Sequence, residues 1–241
     1  MLARRIENGH DDIPGWCRRA LTLDVIERLG AHGCFWLVFF STDGVVVHAS
    51  GSMPGSSRSL SEIVGMGLGD LPSTPAGDER REVFRKILSS PGRDVLVIDV
   101  WHGLEVWWFC GVECDGEDHC GVLAIGFRPS EEQQIPGETI VHRLRHVSDP
   151  GLLRGLSIGE LEVLRLLAMG LSREQMAHEV HRTVKAVERR RTMLGRKLGM
   201  ENSHMLSLVG LRAGLHRLNE QELEDFWRVN CGGPHRNAPP R

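Results

Sequence analysis

The stretch from Leu171 to Leu198, LSREQMAHEVHRTVKAVERRRTMLGRKL, constrains this chain more than any other, because it admits two short helices with almost nothing between them. Ser172 followed by Gln175 has the pattern of a capping box, in which hydroxyl and amide each satisfy a backbone group at a helix start. Met176, Ala177 and Val180 give that helix an apolar face, and Thr183 offers a second cap before a longer periodic run. Two helices joined this tightly cross at a steep angle, which predicts a helix-turn-helix.

The second helix separates into faces at about 100° per residue. Val187, Leu194 and Leu198 fall on one side, with Val184 nearby, and should be core. Lys185, Glu188, Arg189, Thr192 and Arg196 fall on the other. Charge alone fits a solvated surface helix better than anything sharper. A mostly cationic row with varied hydrogen-bonding groups also suits a DNA major groove, which is wide enough for one helix.

The segment Leu156 to Met200 resembles the LuxR-type (GerE-like) helix-turn-helix domain of bacterial transcription regulators. The resemblance is carried by Glu160, Glu162-Val163-Leu164, Ala168 with Gly170, Leu171-Ser172, Ala177, Val187 and Lys197-Leu198-Gly199, which align without a gap, and it extends to Gly214. It implies an all-α, four-helix domain that binds double-stranded DNA as a homodimer, with RNA polymerase as a further partner. The DNA-binding residues it implies are Ser172, Arg173, Thr183, Lys185, Glu188, Arg189, Arg190, Thr192, Arg196 and Lys197. Lys185, Arg189, Thr192 and Arg196 would face the groove, and Ser172, Arg173 and Lys197 would touch phosphates. A last helix opening at Asn202 or Ser203 would carry the dimer contact through Leu206, Val209 and Leu211.

Two departures from the family pattern bear on function. Ala186-Val187-Glu188 stands where the family usually has Thr-Val-Lys, and Arg190 stands in place of a histidine. An acid at 188 repels phosphate yet can accept from a cytosine amino group. The expectation therefore divides between an unusual sequence preference and weakened binding. The second branch leads to an alternative function, a protein-interaction or dimerisation module whose helix-turn-helix has lost affinity. Arg191 falls on the core side of the wheel, where it would snorkel.

Charge is segregated along the chain. Residues 1 to 130 carry 12 basic and 18 acidic side chains, whereas residues 152 to 217 carry 12 basic and 6 acidic, beneath a net charge of −3. A basic module beside an acidic one fits phosphate attraction confined to one end. At 241 residues there is room for two ordinary domains. MLARRIENGHDD has no apolar segment behind its arginines, and the apolar run Cys34 to Phe40 is far too short to span a bilayer, so the expected location is the cytoplasm, with no membrane partner. Six scattered cysteines (17, 34, 110, 114, 120 and 231) argue against a disulfide framework.

Ahead of the basic module the pattern is that of strands. After a helix expected from Pro14 to about Leu29, CFWLVFFS, a Thr42-Asp43-Gly44 turn and VVVHAS read as a β-hairpin. Gly51 to Ser59 reads as a loop, Leu60 to Leu71 as short helical pieces, and Asp78 to Ser89 as a better helix. Three strand-like runs follow, Asp94 to His102, Leu104 to Cys114 and Cys120 to Arg128. That order, with Glu62-Ile63-Val64-Gly65 before the small helices, is similar to a PAS sensor domain.

The expected fold is thus α+β, a PAS-like antiparallel sheet with flanking helices followed by the helical domain. The expected divisions are an N-terminal extension (1–30), the PAS-like domain (31–129), a linker (130–155), the helix-turn-helix domain (156–217) and a terminal helix with a tail (218–241). In the linker, Ile140, Leu144 and Val147 recur at helical spacing, either a helix pairing across a dimer or a lid on the sensor.

Other chemistry finds little support. Cys110, Cys114, His119 and Cys120 depart from zinc-ligand spacing and would sit on different strand faces, so no metal is expected. The helix of Asp78 to Ser89 holds no histidine for a haem, and the flavin-binding subclass's asparagine-cysteine-arginine motif is missing. No nucleophile-base constellation or P-loop is present, which argues against an enzyme. No cofactor is expected. A small-molecule ligand in the PAS-like domain is the remaining option, with Trp101, Trp107 and Trp108 as lining candidates.

Overall fold

The computed structural model describes residues 35–51, 60–71, 74–93, 95–115, 119–130, 135, 139–200 and 202–232. The helix expected from Pro14 to Leu29, most of the 51–59 loop and the tail lie outside the described residues. The chain divides into two compact units, Met1–Asp99 with Val106–Leu144, and Val100–Glu105 with Arg145–Arg241.

The first unit is built on a sheet. Its strands are β1 (Phe35–Ser41), β2 (Val46–Gly51), β3 (Val95–Trp101), β4 (Leu104–Asp115), β5 (His119–Phe127) and β6 (Ile140–Arg143), in the order β2-β1-β5-β4-β3-β6. Between β2 and β3 come two short 3-10 turns, Leu60–Ile63 and Leu68–Asp70, and helix α1 (Pro75–Leu88). This is an α+β fold with the PAS-like element order. Thr74 caps α1 by accepting from Gly77 N at 3.2 Å, with proline at the first helical position, where a missing N–H costs nothing. Val83, Phe84 and Ile87 of α1 pack on Val95, Val97, Val122 and Ala124 of the sheet. On a separate cluster, Leu96 and Ile98 enclose Trp107, with Phe109 and Phe127 against them.

β1, between β2 and β5, is apolar on both faces, with Trp36, Leu37, Val38 and Phe39 all buried. In the ladder Trp36 stands opposite Gly126 of β5, and Gly126 stands opposite Trp108 of β4. A Cβ on Gly126 would collide with the Trp36 indole. The bare glycine lets the two tryptophans meet edge to face, with ring centroids 5.6 Å apart.

β6 corrects the expectation of a linker helix. Ile140 to Arg143 pairs in parallel with Val95 to Ile98, and Leu144 N donates to Ile98 O at 2.9 Å. A spacing of four satisfies both periods: Ile140, His142 and Leu144 share a strand face as readily as Ile140 and Leu144 share a helix face. Tertiary pairing with the edge of β3 decides between them.

A second correction concerns the cysteines. Cys120 is disulfide-bonded, and it stands in register opposite Cys114, whereas Cys110 and Cys231 are buried thiols. Burial alone pushes the Cys110 thiol up to about 12.

The second unit is helical: α2 (Ile158–Ala168), α3 (Arg173–Glu179), α4 (Val184–Leu198), α5 (Ser203–Arg212) and α6 (Glu220–Asn230). α2 runs through its centre, so Leu161, Val163, Leu164, Leu166 and Leu167 are all buried and its apolar stripe wraps almost fully round. α5 crosses α2 at Gly210, where a Cβ would lie 2.6 Å from the Leu164 carbonyl oxygen. α6 shares this core rather than trailing from it. Leu223 is buried there, and Trp227 Nε1 donates to Leu156 O at 2.9 Å.

The turn between β3 and β4 is counted with this unit. Asp149 accepts His102 Nδ1 at 2.7 Å, Gly151 N at 2.9 Å and Arg154 Nη2 at 3.1 Å. Burial would raise the Asp149 carboxyl, but these three donors outweigh it and hold it below the usual carboxylate range.

Because Gly126 and Gly210 stand where no side chain fits, G126A and G210A should each cost roughly 1 to 3 kcal/mol by overpacking. Urea unfolding checks this, and an unchanged midpoint for either variant would contradict the packing described.

Candidate nucleic-acid interface

The helix-turn-helix is assembled from caps outward. Ser172 and Gln175 form the expected capping box at α3, with Gln175 N donating to Ser172 Oγ at 3.2 Å and Ser172 N to Gln175 Oε1 at 2.8 Å. Thr183 caps α4 by accepting from Ala186 N at 3.2 Å. Between the two helices the backbone turns at His181, whose φ of 50° is in the left-handed region. α4 ends at Gly199, with φ 68° and its N–H returned to Arg196 O, which closes the helix in the manner of an αL stop.

α4 is seated by Val187 and Leu194, both buried, with Val184 and Leu198 partly so. Gly195 lets it sink further, since a Cβ there would lie 2.5 Å from the Met200 carbonyl oxygen. The opposite side stays outside: Lys185, Arg189, Thr192 and Arg196 are all exposed. Among the described residues Lys185, Arg189 and Arg196 have no ion pair. Thr192 turns its hydroxyl back to Glu188 O at 2.9 Å.

The remaining expected site residues are placed differently. Glu188 lies at the margin of the exposed face and accepts Arg173 Nη1 of α3 at 2.5 Å, across the corner of the two helices. That hydrogen bond, with the charge of Glu188 behind it, raises the Arg173 guanidinium further. Lys197 Nζ donates to Glu160 Oε2 at 2.8 Å. Arg190 points back to α2, with Nη1 3.5 Å from Gly159 O and 3.7 Å from Glu162 Oε2. Its guanidinium also borders a groove of about 930 Å³ that includes Glu162, His181 and Trp227. Arg191 donates to Ser203 Oγ. Ser172 is exposed, with its oxygen already engaged in the cap.

Of the residues expected at a dimer contact, Leu206 needs correction. Its side chain is 2% exposed and belongs to the unit's own core, so it has no surface left to offer. Val209 packs against the same core, and Leu211 is partly exposed. The exposed apolar side chains near this part of the fold are Met193 and Met205, at 53% and 46%, which helical spacing from Leu206 does not single out.

Glu160 carries more than its cap. It accepts from Ser157 N at 2.7 Å, from Ser157 Oγ at 2.9 Å and from Lys197, tying the start of α2 to the end of α4. Burial opposes its charge, yet Lys197 and the Ser157 donors prevail and hold its carboxyl below the ordinary glutamate value.

The expected tryptophan-lined pocket is not brought together by these residues. Trp107 lies with Leu96 and Ile98, while Trp108 packs with the cluster beneath α1, on the opposite strand face. Trp101 ends β3 and meets the His102 ring edge to face, with centroids 5.5 Å apart. Among the described residues no helix is long and apolar enough to cross a membrane.

No protein-family model and no curated protein matches the chain. Among solved structures it is similar to VqmA, a LuxR-type receptor. To the Vibrio cholerae VqmA dimer without its target DNA the identity is 19%, over 84% of this chain and 93% of that one, with a TM-score of 0.36. To the Vibrio cholerae VqmA-ligand-DNA complex it is 18%, over 84% and 92%, with a TM-score of 0.41. To the phage VqmA-DPO complex it is 16%, over 84% and 94%, with a TM-score of 0.34.

A depressed carboxylate stabilises the fold above its unfolded value and loses that contribution as pH falls through its folded value. E160Q should therefore lower the urea midpoint at neutral pH by the equivalent of roughly 1 kcal/mol. The difference from the parent should close as pH falls below about 4.3. A gap that persists at pH 3 would show that the charge of Glu160 is not what ties α2 to α4.

Proposed function

We propose that this protein is a DNA-binding transcription regulator in which the PAS-like unit senses a small molecule or mediates dimerisation and the helical unit inserts α4 into the major groove as a homodimer. The observation that carries this reading is the exposed face of α4, where Lys185, Arg189 and Arg196 stand unpaired in a row beside Thr192. A solvated helix has no need to leave its cations on one side while neighbouring basic residues are paired elsewhere. In the groove, arginine and lysine reach guanine O6 and N7 or the flanking phosphates, and threonine adapts to either. Two-fold pairing places the half-sites about one helical turn apart. RNA polymerase is the further partner this reading brings with it.

A second reading, a protein-interaction module with a weakened helix-turn-helix, is favoured by the Arg173–Glu188 pair, which ties up a cation close to the same face.

The two separate in a titration of mixed-sequence duplex DNA between roughly 50 and 200 mM salt, where binding should weaken steeply. K185A, R189A and R196A should each weaken binding, and loss of a phosphate contact should flatten the slope of log affinity against log salt by about 0.9. Binding indifferent to salt, or to all three substitutions, would leave the second reading.

A further inference from the structure

Arg173 and Glu188 are fifteen residues apart in sequence and meet at the corner where α3 and α4 cross. Arg173 is the first residue of α3, where a cation sits against the positive end of the helix dipole. Glu188 is the one acid among the side chains that ring the outer face of α4. Both are solvent-accessible, with side-chain exposures of 60% and 38%, so water and an approaching anion reach them equally. Their geometry, one guanidinium nitrogen on one carboxylate oxygen, is also what a phosphate oxygen would offer Arg173.

From this we infer that Glu188 is an internal counterion for Arg173: its carboxylate occupies the place of a DNA phosphate and withholds this arginine from the backbone, so that sequence-independent affinity is reduced. The inference deepens the DNA-binding reading and rests on it. Phosphate contacts supply nearly all of non-specific binding and carry no sequence information. Removing one such contact from every duplex alike, while Lys185, Arg189 and Arg196 stay exposed, weakens binding to all of them by the same factor and leaves the ratio between sequences unchanged. Glu188 on this account sets the overall affinity for duplex DNA through Arg173, without reading a base. Lys197 and Arg190 have acids too, but Glu160 is enclosed and caps α2, and Arg190 lies 3.7 Å from Glu162 and also reaches the Gly159 carbonyl. The Arg173–Glu188 pair lies beside the outer face of α4, where release costs little packing.

The test measures affinity of the full-length chain for a mixed-sequence duplex across the same salt range, for the parent, E188Q, R173M and the double variant. Glutamine keeps the size of Glu188 and removes its charge. E188Q should bind several-fold more tightly, with a slope steeper by about 0.9, so that its advantage shrinks about threefold between roughly 50 and 200 mM salt. In the R173M background the same substitution should change neither quantity appreciably, and R173M alone should leave the slope of the parent intact.

A gain from E188Q that persists without Arg173 would overturn the inference, because Glu188 would then repel phosphate directly. A loss confined to one sequence would overturn it in favour of a base contact. Parent binding that E188Q leaves unchanged overturns the counterion role alone. Failure of all four proteins to bind any duplex overturns both that role and the DNA-binding reading.

Discussion

How far α4 sinks into its own unit decides which of its side chains remain outside. Val187 and Leu194 are the anchors, and Gly195 sets the depth, because its missing Cβ lets the Met200 carbonyl close over the helix. The chain then turns back at Gly199, with Met200 N donating to Gly195 O at 2.7 Å. With the seat fixed in this way, rotation about the helix axis is fixed too. Lys185, Arg189, Thr192 and Arg196 lie within an arc of about 60° on the far side. No separate device is needed to expose them; they are what the packing leaves over.

Around that face, acids and other oxygen acceptors of the unit engage some of its cations. Glu160 takes Lys197, Glu162 and the Gly159 carbonyl take Arg190, Glu188 takes Arg173, and Ser203 receives Arg191. Beside those engaged cations, Lys185, Arg189 and Arg196 form a basic strip along the exposed side of α4. That matters for any polyanion, because a diffuse basic surface binds in many orientations whereas a strip binds in few.

What could be read from the sequence follows from the range of the interaction concerned. The caps at Ser172, Thr183 and Asn202 are local, involving residues at most three apart, and each forms as its sequence suggests. The strand order up to β5 was legible because turn residues punctuate it. β6 was not, since Ile140 and Leu144 satisfy either period and only the free edge of β3, some forty residues earlier, selects the strand. The same limit governs the interface. A helical wheel separates core from surface on α4, but it cannot tell that Arg190 and Lys197 lie over acids of α2, or that Arg173 reaches Glu188 across the corner. The burial of Leu206 likewise comes from the core shared by the whole unit, which its own helix does not reveal.

The pairings also differ in what they can give up. Glu160 is mostly enclosed, bonded to both the backbone and the hydroxyl of Ser157, and its lysine closes the distance between the first and third helices of the unit. Breaking it would uncap α2 and loosen α4 together. The Arg173–Glu188 pair satisfies no backbone group, and both partners are already hydrated. Exposed pairs of this kind contribute about 0 to 1 kcal/mol to folding, so the fold does not depend on keeping it closed. An ion pair that stabilises so little can be exchanged for a phosphate at small cost, and the strength of that exchange is set by salt and by the approaching anion. Stability and recognition therefore draw on different carboxylates of one small unit, the enclosed one holding the helices in place and the exposed one governing which cations a polyanion meets.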